Sequence, residues 1–457
     1  MRASATPTFR NRPGTGRNFA RVLTRPNSAA RAYGPAVLTI ALAVYVAAYL
    51  RWPSLAGQVD LQVYRFGAAQ VLSGHDLYAT GLTGNPRTLL FDYSPFAALF
   101  FLPLALVTPL TAQILGLALN VALVAYVVWR LLRGLGMTAT TGLWPIAALL
   151  VGLVAWLEPV RLSLQLGQVN LLILAVVVAD LLGPERRRWA GVGIGLVAGI
   201  KLTPALFIVY LLVIGRRRAA LVASATFAAT VAVGFAVLPR DSDYFWLRRG
   251  FDDVVRISSD PVANTSLRGL FVRLHWPLGA ATAVALVLGV AALAIAALAW
   301  RRGHRVLGVA VVGMASDAVS PFSWSHHWVW VAPLMVHLGY RAFAVGSRWS
   351  LVALGVSWVT FAGWLVTATG DTPEMGLLSI RPGGAWDVWL PAAYLLMFVT
   401  ALVATVWWLR YENPENYVMG TETGDVLYPV TRTQFAVASG LGTTASRSMD
   451  SPGNTVT

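Results

Sequence analysis

Long apolar blocks, repeated along nearly the whole chain, set the strongest limit on how this sequence can fold. Many are long enough to cross a bilayer as a helix, which takes about 20 residues, and they do not show the short alternating pattern of an outer-membrane barrel. Of the 457 residues, 57% are hydrophobic and only 12% are charged, whereas a soluble domain carries about 25% charged residues. The sequence therefore predicts an all-α polytopic membrane protein.

Basic residues indicate how the chain is oriented in the membrane. Seven arginines precede the first apolar block, and the first acidic residue, Asp60, follows it. Basic residues before a first span stay in the cytoplasm, so we expect Asp60 to emerge on the extracytoplasmic face. Continuing this assignment predicts about twelve transmembrane helices with both termini inside. They fall near 33–50, 111–132, 143–157, 164–182, two short spans or a re-entrant hairpin within 189–215, 219–238, 278–300, 306–320, 329–340, 351–369 and 388–409.

The remaining segments are polar or short. Residues 60–72 read as an amphipathic helix lying along the membrane surface, and the proline-interrupted segment 94–109 as a re-entrant or interfacial helix. Both belong to the first extracytoplasmic loop. The predicted division of the chain is a disordered basic cytoplasmic arm at 1–32, a transmembrane domain at 33–410 with extracytoplasmic loops near 51–110, 239–277 and 370–387, and a disordered cytoplasmic tail at 411–457.

Charge and cysteine content exclude several classes of function. The net charge of +15 comes almost entirely from arginine, and most arginines lie at the ends of predicted spans on one side. We interpret this charge as topology and contact with anionic lipid in the bilayer, and expect no nucleic-acid partner, because no basic module interleaved with aromatic residues is visible. The chain has no cysteine, which excludes disulfides and thiol chemistry.

Asp60 and Lys201 are the two charged residues most suggestive of chemistry. Asp60 has two readings: a general base that takes a proton from a hydroxyl nucleophile, or an acid that interacts with a helix dipole or with solvent. Lys201, the only lysine, lies in Lys201-Leu-Thr-Pro204 at a break between two half-length apolar segments. Such an ammonium is usually functional in a membrane and suits a lipid phosphate, although it could also snorkel to the interface.

Other polar residues on the same predicted face complete the candidate set. His326 and His327 follow Trp324, and either histidine could bond a substrate hydroxyl or phosphate, or both could belong to an aromatic belt at the interface. Adjacent histidines on a helix point about 100° apart and are poorly placed to share a metal. The other candidates share this outer face, as polar groups at the junction of two spans or cations of the large external loop: Gln168, Asn170, Arg256 and Arg268.

Four motifs carry a resemblance to a known family. They are Gly57-Gln-Val-Asp60-Leu-Gln-Val-Tyr64, Gly167-Gln-Val-Asn170, Gly199-Ile-Lys-Leu-Thr-Pro204 and Ser320-Pro-Phe-Ser-Trp-Ser-His-His327. Together, in this order, they make the chain resemble the polyprenol-phosphate-sugar-dependent glycosyltransferases of the GT-C fold. More narrowly, the chain is similar to the actinobacterial α-mannosyltransferases of glycosyltransferase family 87.

The resemblance implies a plasma-membrane enzyme with an extracytoplasmic active site. Its donor would be polyprenyl-phosphate-mannose and its acceptor a phosphatidylinositol mannoside, joined by an α-1,2 linkage with inversion. The resemblance maps the catalytic base onto Asp60, a functional histidine onto His326 in preference to His327, and the donor-phosphate lysine onto Lys201. We expect no cofactor and no metal, since the first loop lacks an Asp-x-Asp motif. Substrate binding is predicted for Lys201, His327, Gln168, Asn170, Arg256, Arg268 and Trp324.

Alternatives remain open from the sequence. Another polyprenol-phosphate-sugar transferase, such as a lipomannan-branching mannosyltransferase or an arabinofuranosyltransferase, would share these motifs. A lipid-linked-sugar flippase or transporter would also have many spans, but would usually show repeated halves and charges at the midplane. A non-catalytic assembly protein would not depend on Asp60.

Overall fold

The computed structural model describes residues 28–85, 89–138, 142–184, 187–248, 263–362, 366–367, 374–375, 384–411, 417–422 and 426–431. Most of these residues are helical. In chain order, the α-helices are α1 (Ser28–Arg51), α2 (Val59–Leu72), α3 (Pro95–Phe100), α4 (Leu102–Ala105), α5 (Pro109–Gly134), α6 (Leu143–Ala155), α7 (Glu158–Leu166), α8 (Asn170–Leu181), α9 (Val192–Ile200), α10 (Leu206–Val213), α11 (Arg217–Val237), α12 (Pro239–Asp243), α13 (Leu267–Arg273), α14 (Leu278–Arg301), α15 (Arg305–Val319), α16 (Val331–Phe343), α17 (Arg348–Ala362) and α18 (Trp386–Tyr411). Short 3₁₀ turns cover Pro53–Ala56, Thr203–Ala205 and Ser325–Trp330.

Five of the helices in the described chain are long and apolar enough to cross a membrane: α1, α5, α11, α14 and α18. A sixth span arises if α6 and α7, which meet at a bend of 73°, are taken as one broken span. Large apolar side chains lie exposed on these helices, including Leu286 and Val287 of α14, each 69% exposed. The chain is therefore a multi-pass, predominantly helical membrane protein. The count of twelve spans stays a prediction, because several predicted spans correspond to shorter helices.

Helix α15 forms the centre of the bundle. Every residue from Val306 to Ala318 is buried, which is the pattern of a helix surrounded by other helices on all sides. It packs against α14, α16 and α18 and against the 3₁₀ turn Ser325–Trp330. A polar side chain on α15 is consequently held inside the protein.

Two breaks in the helical pattern shape the outer face. The predicted break within 189–215 is confirmed: α9 ends at Ile200, Lys201 is extended (φ −137°, ψ 132°), and the 3₁₀ turn Thr203–Ala205, which contains Pro204, leads into α10. The predicted span 164–182 is wrong at its beginning. Gly167 adopts a left-handed conformation with φ of +70°, so that α7 ends there and α8 begins at Asn170.

The first extracytoplasmic loop is helical where the sequence predicts it. Helix α2 buries Leu61, Tyr64 and Ala68, as expected for the amphipathic helix 60–72, whereas Leu72 is 57% exposed. Helix α2 packs on α3, α4, α5 and α7, so its apolar face meets protein. The segment 94–109 divides into the short helices α3 and α4.

The ends of the chain differ slightly from expectation. Helix α1 begins at Ser28, inside the segment 1–32 that was predicted to be an arm. Within the residues that the structure describes, four short strands form antiparallel pairs, β1 (Val366–Thr367) with β2 (Glu374–Met375) and β3 (Tyr417–Glu422) with β4 (Val426–Thr431). The second pair lies within the segment 411–457. Most of that segment and residues 1–27 lie outside the described residues, and disorder there stays a prediction.

Candidate active site

The start of α2 is fixed against the junction of α7 and α8, and this fixes Asp60. Gln58, in the left-handed region at φ +46°, donates its backbone N–H to the carbonyl of Gln165 at 2.9 Å and its side-chain amide to the carbonyl of Gln113 at 2.8 Å. Gly167 permits this approach, because a Cβ there would lie 2.7 Å from Cβ of Leu61. Asp60 follows in the first turn of α2.

Gln168 connects Asp60 to two buried tyrosines. Its Nε2 donates a hydrogen bond to Oδ2 of Asp60. Its Oε1 accepts from the hydroxyls of Tyr64 at 2.9 Å and Tyr93 at 3.2 Å, and the two hydroxyls lie 2.9 Å apart. The tyrosine donors determine which end of the Gln168 amide faces the carboxylate. The network thus holds one oxygen of Asp60 in place.

The same surroundings tune Asp60 for proton transfer. Burial raises the pKa of Asp60 to about 6, the hydrogen bond from Gln168 opposes this rise, the charge of Asp92 adds to it, and the charge of Lys201 lowers it. A carboxylate with a pKa near the working pH is a better proton acceptor than one with an ordinary value. The arrangement supports the predicted role of Asp60 as a general base.

Lys201 lies beside this network, as the sequence suggests. Its ammonium donates to Oδ1 of Asn170 at 3.0 Å and lies 5.7 Å from the ring centre of Tyr93. Asn170 in turn donates its amide to the backbone carbonyl of His326 at 2.9 Å. Three of the motifs found in the sequence therefore meet through Lys201, Asn170 and His326.

The two histidines occupy different surroundings. His326 contributes its carbonyl to Asn170, and its ring stacks on Trp324 with centroids 6.1 Å apart and planes 12° apart. His327 accepts the backbone N–H of Trp324 on Nδ1 at 3.3 Å. A neutral His327 then carries its proton on Nε2, as a hydrogen-bond donor. The preference for His326 over His327 as the catalytic histidine stays a prediction, but it is His327 that reaches the cavity described next.

A small cavity, of about 10 Å³, lies beside Lys201. Its polar lining includes a residue that the sequence analysis misses, Asp317 of α15, which is only 2% exposed. The signal was present, since Asp317 is an acid within the predicted span 306–320 and ionisable residues inside membrane segments are usually functional. Tyr93 was missed as well, because its role depends on contacts distant in sequence. The cavity is lined by Asn170, Ile173, Lys201, Thr203, Asp317, His327, Val329 and Trp330.

The remaining predicted residues are not all brought into this cluster. Arg268, in the first turn of α13, is half-buried, and within the described part of the chain it makes no hydrogen bond to the cluster. The start of α13 is nevertheless tied to the histidine segment, because Thr265 donates its N–H to the carbonyl of Ser323 at 2.8 Å. Arg256 lies outside the described residues. Among those that are described, no three His, Asp or Glu side chains come together as metal ligands.

Comparisons with known proteins agree with the motifs. The family model described as Glycosyltransferase family 87 matches residues 91–321. A relative from Mycobacterium tuberculosis is 34% identical over 87% of this chain and 91% of its own length. It is named polyprenol-phosphate-mannose-dependent alpha-(1-2)-phosphatidylinositol pentamannoside mannosyltransferase.

Two relatives from Mycolicibacterium smegmatis add to this result. One, with the same name as the tuberculosis protein, is 34% identical over 81% of this chain and 90% of its own length. The other is named polyprenol-phosphate-mannose-dependent alpha-(1-2)-phosphatidylinositol mannoside mannosyltransferase, and it is 29% identical over 76% of this chain and 84% of its own length. No solved structure matches significantly. The family model covers the chain from the first loop to Pro321, and the relatives cover most of the chain. This protein therefore belongs to glycosyltransferase family 87.

Proposed function

We propose that this protein transfers mannose from polyprenyl-phosphate-mannose to a phosphatidylinositol mannoside, with an α-1,2 linkage and inversion at the anomeric carbon. The relatives are named for this donor and for acceptors of this class. The observation that supports the proposal most directly is the pairing of a fixed, half-buried carboxylate, Asp60, with a nearby cation, Lys201. A base and a phosphate-binding cation are the two groups that this displacement requires.

In the proposed reaction, the oxygen of the acceptor's 2-hydroxyl attacks the anomeric carbon of the donor's mannose, and Asp60 accepts the proton of that hydroxyl. The bond between that carbon and the phosphate oxygen breaks, and polyprenyl phosphate leaves with the electron pair and an additional negative charge. Lys201 stabilises that charge. Holding both lipids in one membrane plane favours their encounter.

The membrane arrangement is part of the proposal. We place the site on the extracytoplasmic face of the plasma membrane, in a GT-C fold of about twelve spans, with both termini in the cytoplasm. The arginine distribution supports this orientation. The short helices α8, α9 and α10 would then pair with their neighbours to complete the spans that are not long single helices.

The test is mannosyl transfer by the purified full-length protein in nanodiscs, with polyprenyl-phosphate-mannose and a phosphatidylinositol tetramannoside. We expect product from the wild type and a loss of roughly 10²- to 10⁴-fold in Asp60→Asn, because general-base catalysis contributes about that factor. Near-normal transfer by a folded Asp60→Asn protein would remove Asp60 as the base. If the wild type gave no product, decaprenyl-phosphate-arabinose would be tried next, since arabinofuranosyl transfer or sugar-lipid translocation would then be the leading activities.

A further inference from the structure

Asp317 is a buried carboxyl group that the proposed transfer does not use. Its Oδ2 receives no hydrogen bond from any of the described residues, although the side chain lines the cavity beside Lys201. Within those same residues, Asp317 and Lys201 also form no ion pair at contact distance. A buried acceptor left without a donor is costly, and such a group usually marks a site where a ligand or water supplies the missing hydrogen bond.

The groups around the cavity define the chemistry of that ligand. Lys201 and the Nε2–H of His327 are donors, Thr203 can donate or accept, and Asp317 can accept. A phosphodiester oxygen can accept from the donors but has no proton to donate to Oδ2 of Asp317. A hydroxyl group suits both sides of the cavity, because it donates to a carboxyl oxygen while accepting from an ammonium or imidazole.

Resting on the proposed function, we infer that Asp317 accepts hydrogen bonds from hydroxyl groups of the sugar carried by the polyprenyl-phosphate donor. Asp317 is then a specificity-determining residue, and Asp60 is the base. One hydroxyl of the sugar would enter the small cavity, which Val329 and Trp330 also line.

This assignment gives Asp317 a part in product release as well as in donor selection. After transfer, the remaining polyprenyl phosphate has no sugar hydroxyl to donate to Asp317, and its terminal phosphate carries more negative charge than the donor's phosphodiester. A hydrogen bond to Asp317 therefore forms with the donor and not with the product. Lys201 attracts the phosphate of both lipids, so Asp317 is the residue that distinguishes them.

The experiment measures binding of two lipids to full-length protein in nanodiscs: polyprenyl-phosphate-mannose and sugar-free polyprenyl phosphate. Asp317→Asn keeps the size of the side chain and replaces one carboxyl oxygen with an NH₂ group, which cannot accept a hydrogen bond. We expect it to weaken binding of the mannose lipid by roughly 10-fold, since a hydrogen bond to a buried oxygen is lost, and to leave binding of the sugar-free lipid unchanged. Lys201→Ala should weaken binding of both.

A matched control is available one residue earlier on α15. Ser316 is also buried, but its hydroxyl donates to the carbonyl of Gly313 at 2.7 Å, so Ser316→Ala should leave both affinities unchanged. Thermal unfolding of each variant shows whether it is folded. If Asp317→Asn has a folding defect, Asp317→Glu, which keeps the carboxyl group, must retain a preference for the mannose lipid.

The outcomes separate this inference from the proposed function. Equal changes in both affinities on Asp317→Asn, in either direction, would show that Asp317 acts on Lys201 or the phosphate, and would overturn the inference while leaving mannosyl transfer intact. A wild-type protein that neither binds nor uses the mannose lipid would overturn both. Loss of affinity for the mannose lipid alone would establish the contact with the sugar.

Discussion

At the scale of single residues, the amide of Gln168 couples the carboxylate of Asp60 to the interior of the protein. One end contacts Asp60 and the other accepts from Tyr64 and Tyr93. The amide therefore has little freedom to rotate, and its N–H groups remain directed at Asp60. Such a fixed donor both orients the base and moderates the cost of burying its charge.

The acidity of Asp60 predicts how activity depends on pH. With a pKa of about 6, Asp60 loses its ability to accept a proton as the pH falls through about 6, so kcat/KM should be level above pH 7 and fall about tenfold per pH unit below about 5.5. The hydrogen bond from Gln168 lowers this pKa, so Gln168→Leu should move the acidic limb to higher pH. The measurement is kcat/KM for mannosyl transfer between pH 4.5 and 8.5.

A control and a contrary result are both available for this profile. Ser316→Ala, distant in the chain from Asp60, should keep the wild-type limb. A Gln168→Leu profile with reduced rate but an unshifted limb would mean that the amide positions substrate and does not tune Asp60. A wild-type profile with no acidic limb near pH 6 would contradict the assignment of Asp60 as the titrating base.

The residues that sequence alone identifies are those with an unusual charge in an apolar context. Asp60 and Lys201 were found in this way, each beside an apolar segment, and the structure places them in one cluster. The tyrosine pair could not be found, because Tyr93 reaches Gln168 over 75 positions of chain and no local pattern encodes that contact. The reasoning used for Lys201 also applies to Asp317, which is an acid within an apolar segment. The sequence does not show, however, which side chains line the cavity around it.

At the scale of elements, two breaks in apolar segments build the site. The break at Lys201 was predictable, since Pro204 follows two half-length apolar stretches between basic clusters. The break at Gly167 was not, because the sequence predicts one span over 164–182, whereas Gly167 ends α7 and α8 begins at Asn170. Both breaks release short segments of backbone on the outer side, where side chains from different helices can meet.

Gly167 provides a test of whether the docking of α2 on α7 controls activity. Gly167→Ala combines a strained φ of +70° with a Cβ that would lie 2.7 Å from Leu61 and 3.0 Å from Gln58. We expect a lower melting temperature and at least about a tenfold loss of kcat, since a displacement of about 1 Å can cost a hundredfold. Thermal unfolding and transfer assays on the purified variant measure both.

Gly215 is the matched control for this substitution. It has φ of +85°, but an added Cβ would meet nothing within 4 Å, so Gly215→Ala should show only the cost of strain, about 1–2 kcal/mol, with wild-type kcat. If the two variants were equally active, the close approach at Gly167 would be irrelevant to catalysis.

At the scale of the whole molecule, the distribution of charge predicts an orientation in the membrane but does not predict the number of spans. Composition alone identifies a multi-pass helical protein, and the described helices agree. Span counting fails where helices are short, because an apolar block of 10–17 residues can be half of a broken span or a buried core helix. Helices α8 and α10 belong to this ambiguous group.

The absence of cysteine makes the proposed orientation directly testable. Single cysteines placed at Ser73, which is exposed after α2, and at Arg218, which is exposed at the start of α11, should report opposite sides. We expect a membrane-impermeant maleimide to label Ser73→Cys in intact spheroplasts, and to label Arg218→Cys only after the membrane is opened. The unmodified chain is the blank, and the reverse pattern would place Asp60 in the cytoplasm.

The long-range contact between Asp60 and Gln168 also bears on how the enzyme is made. That contact joins positions 108 residues apart, whereas Asn170 reaches the carbonyl of His326 across 156 positions. Because a chain is synthesised from its N-terminus, the surroundings of Asp60 can close while α15 and the histidine segment are still on the ribosome. A nascent chain at that stage would hold Asp60 in place beside a cavity that still lacks Asp317, His327 and Trp330.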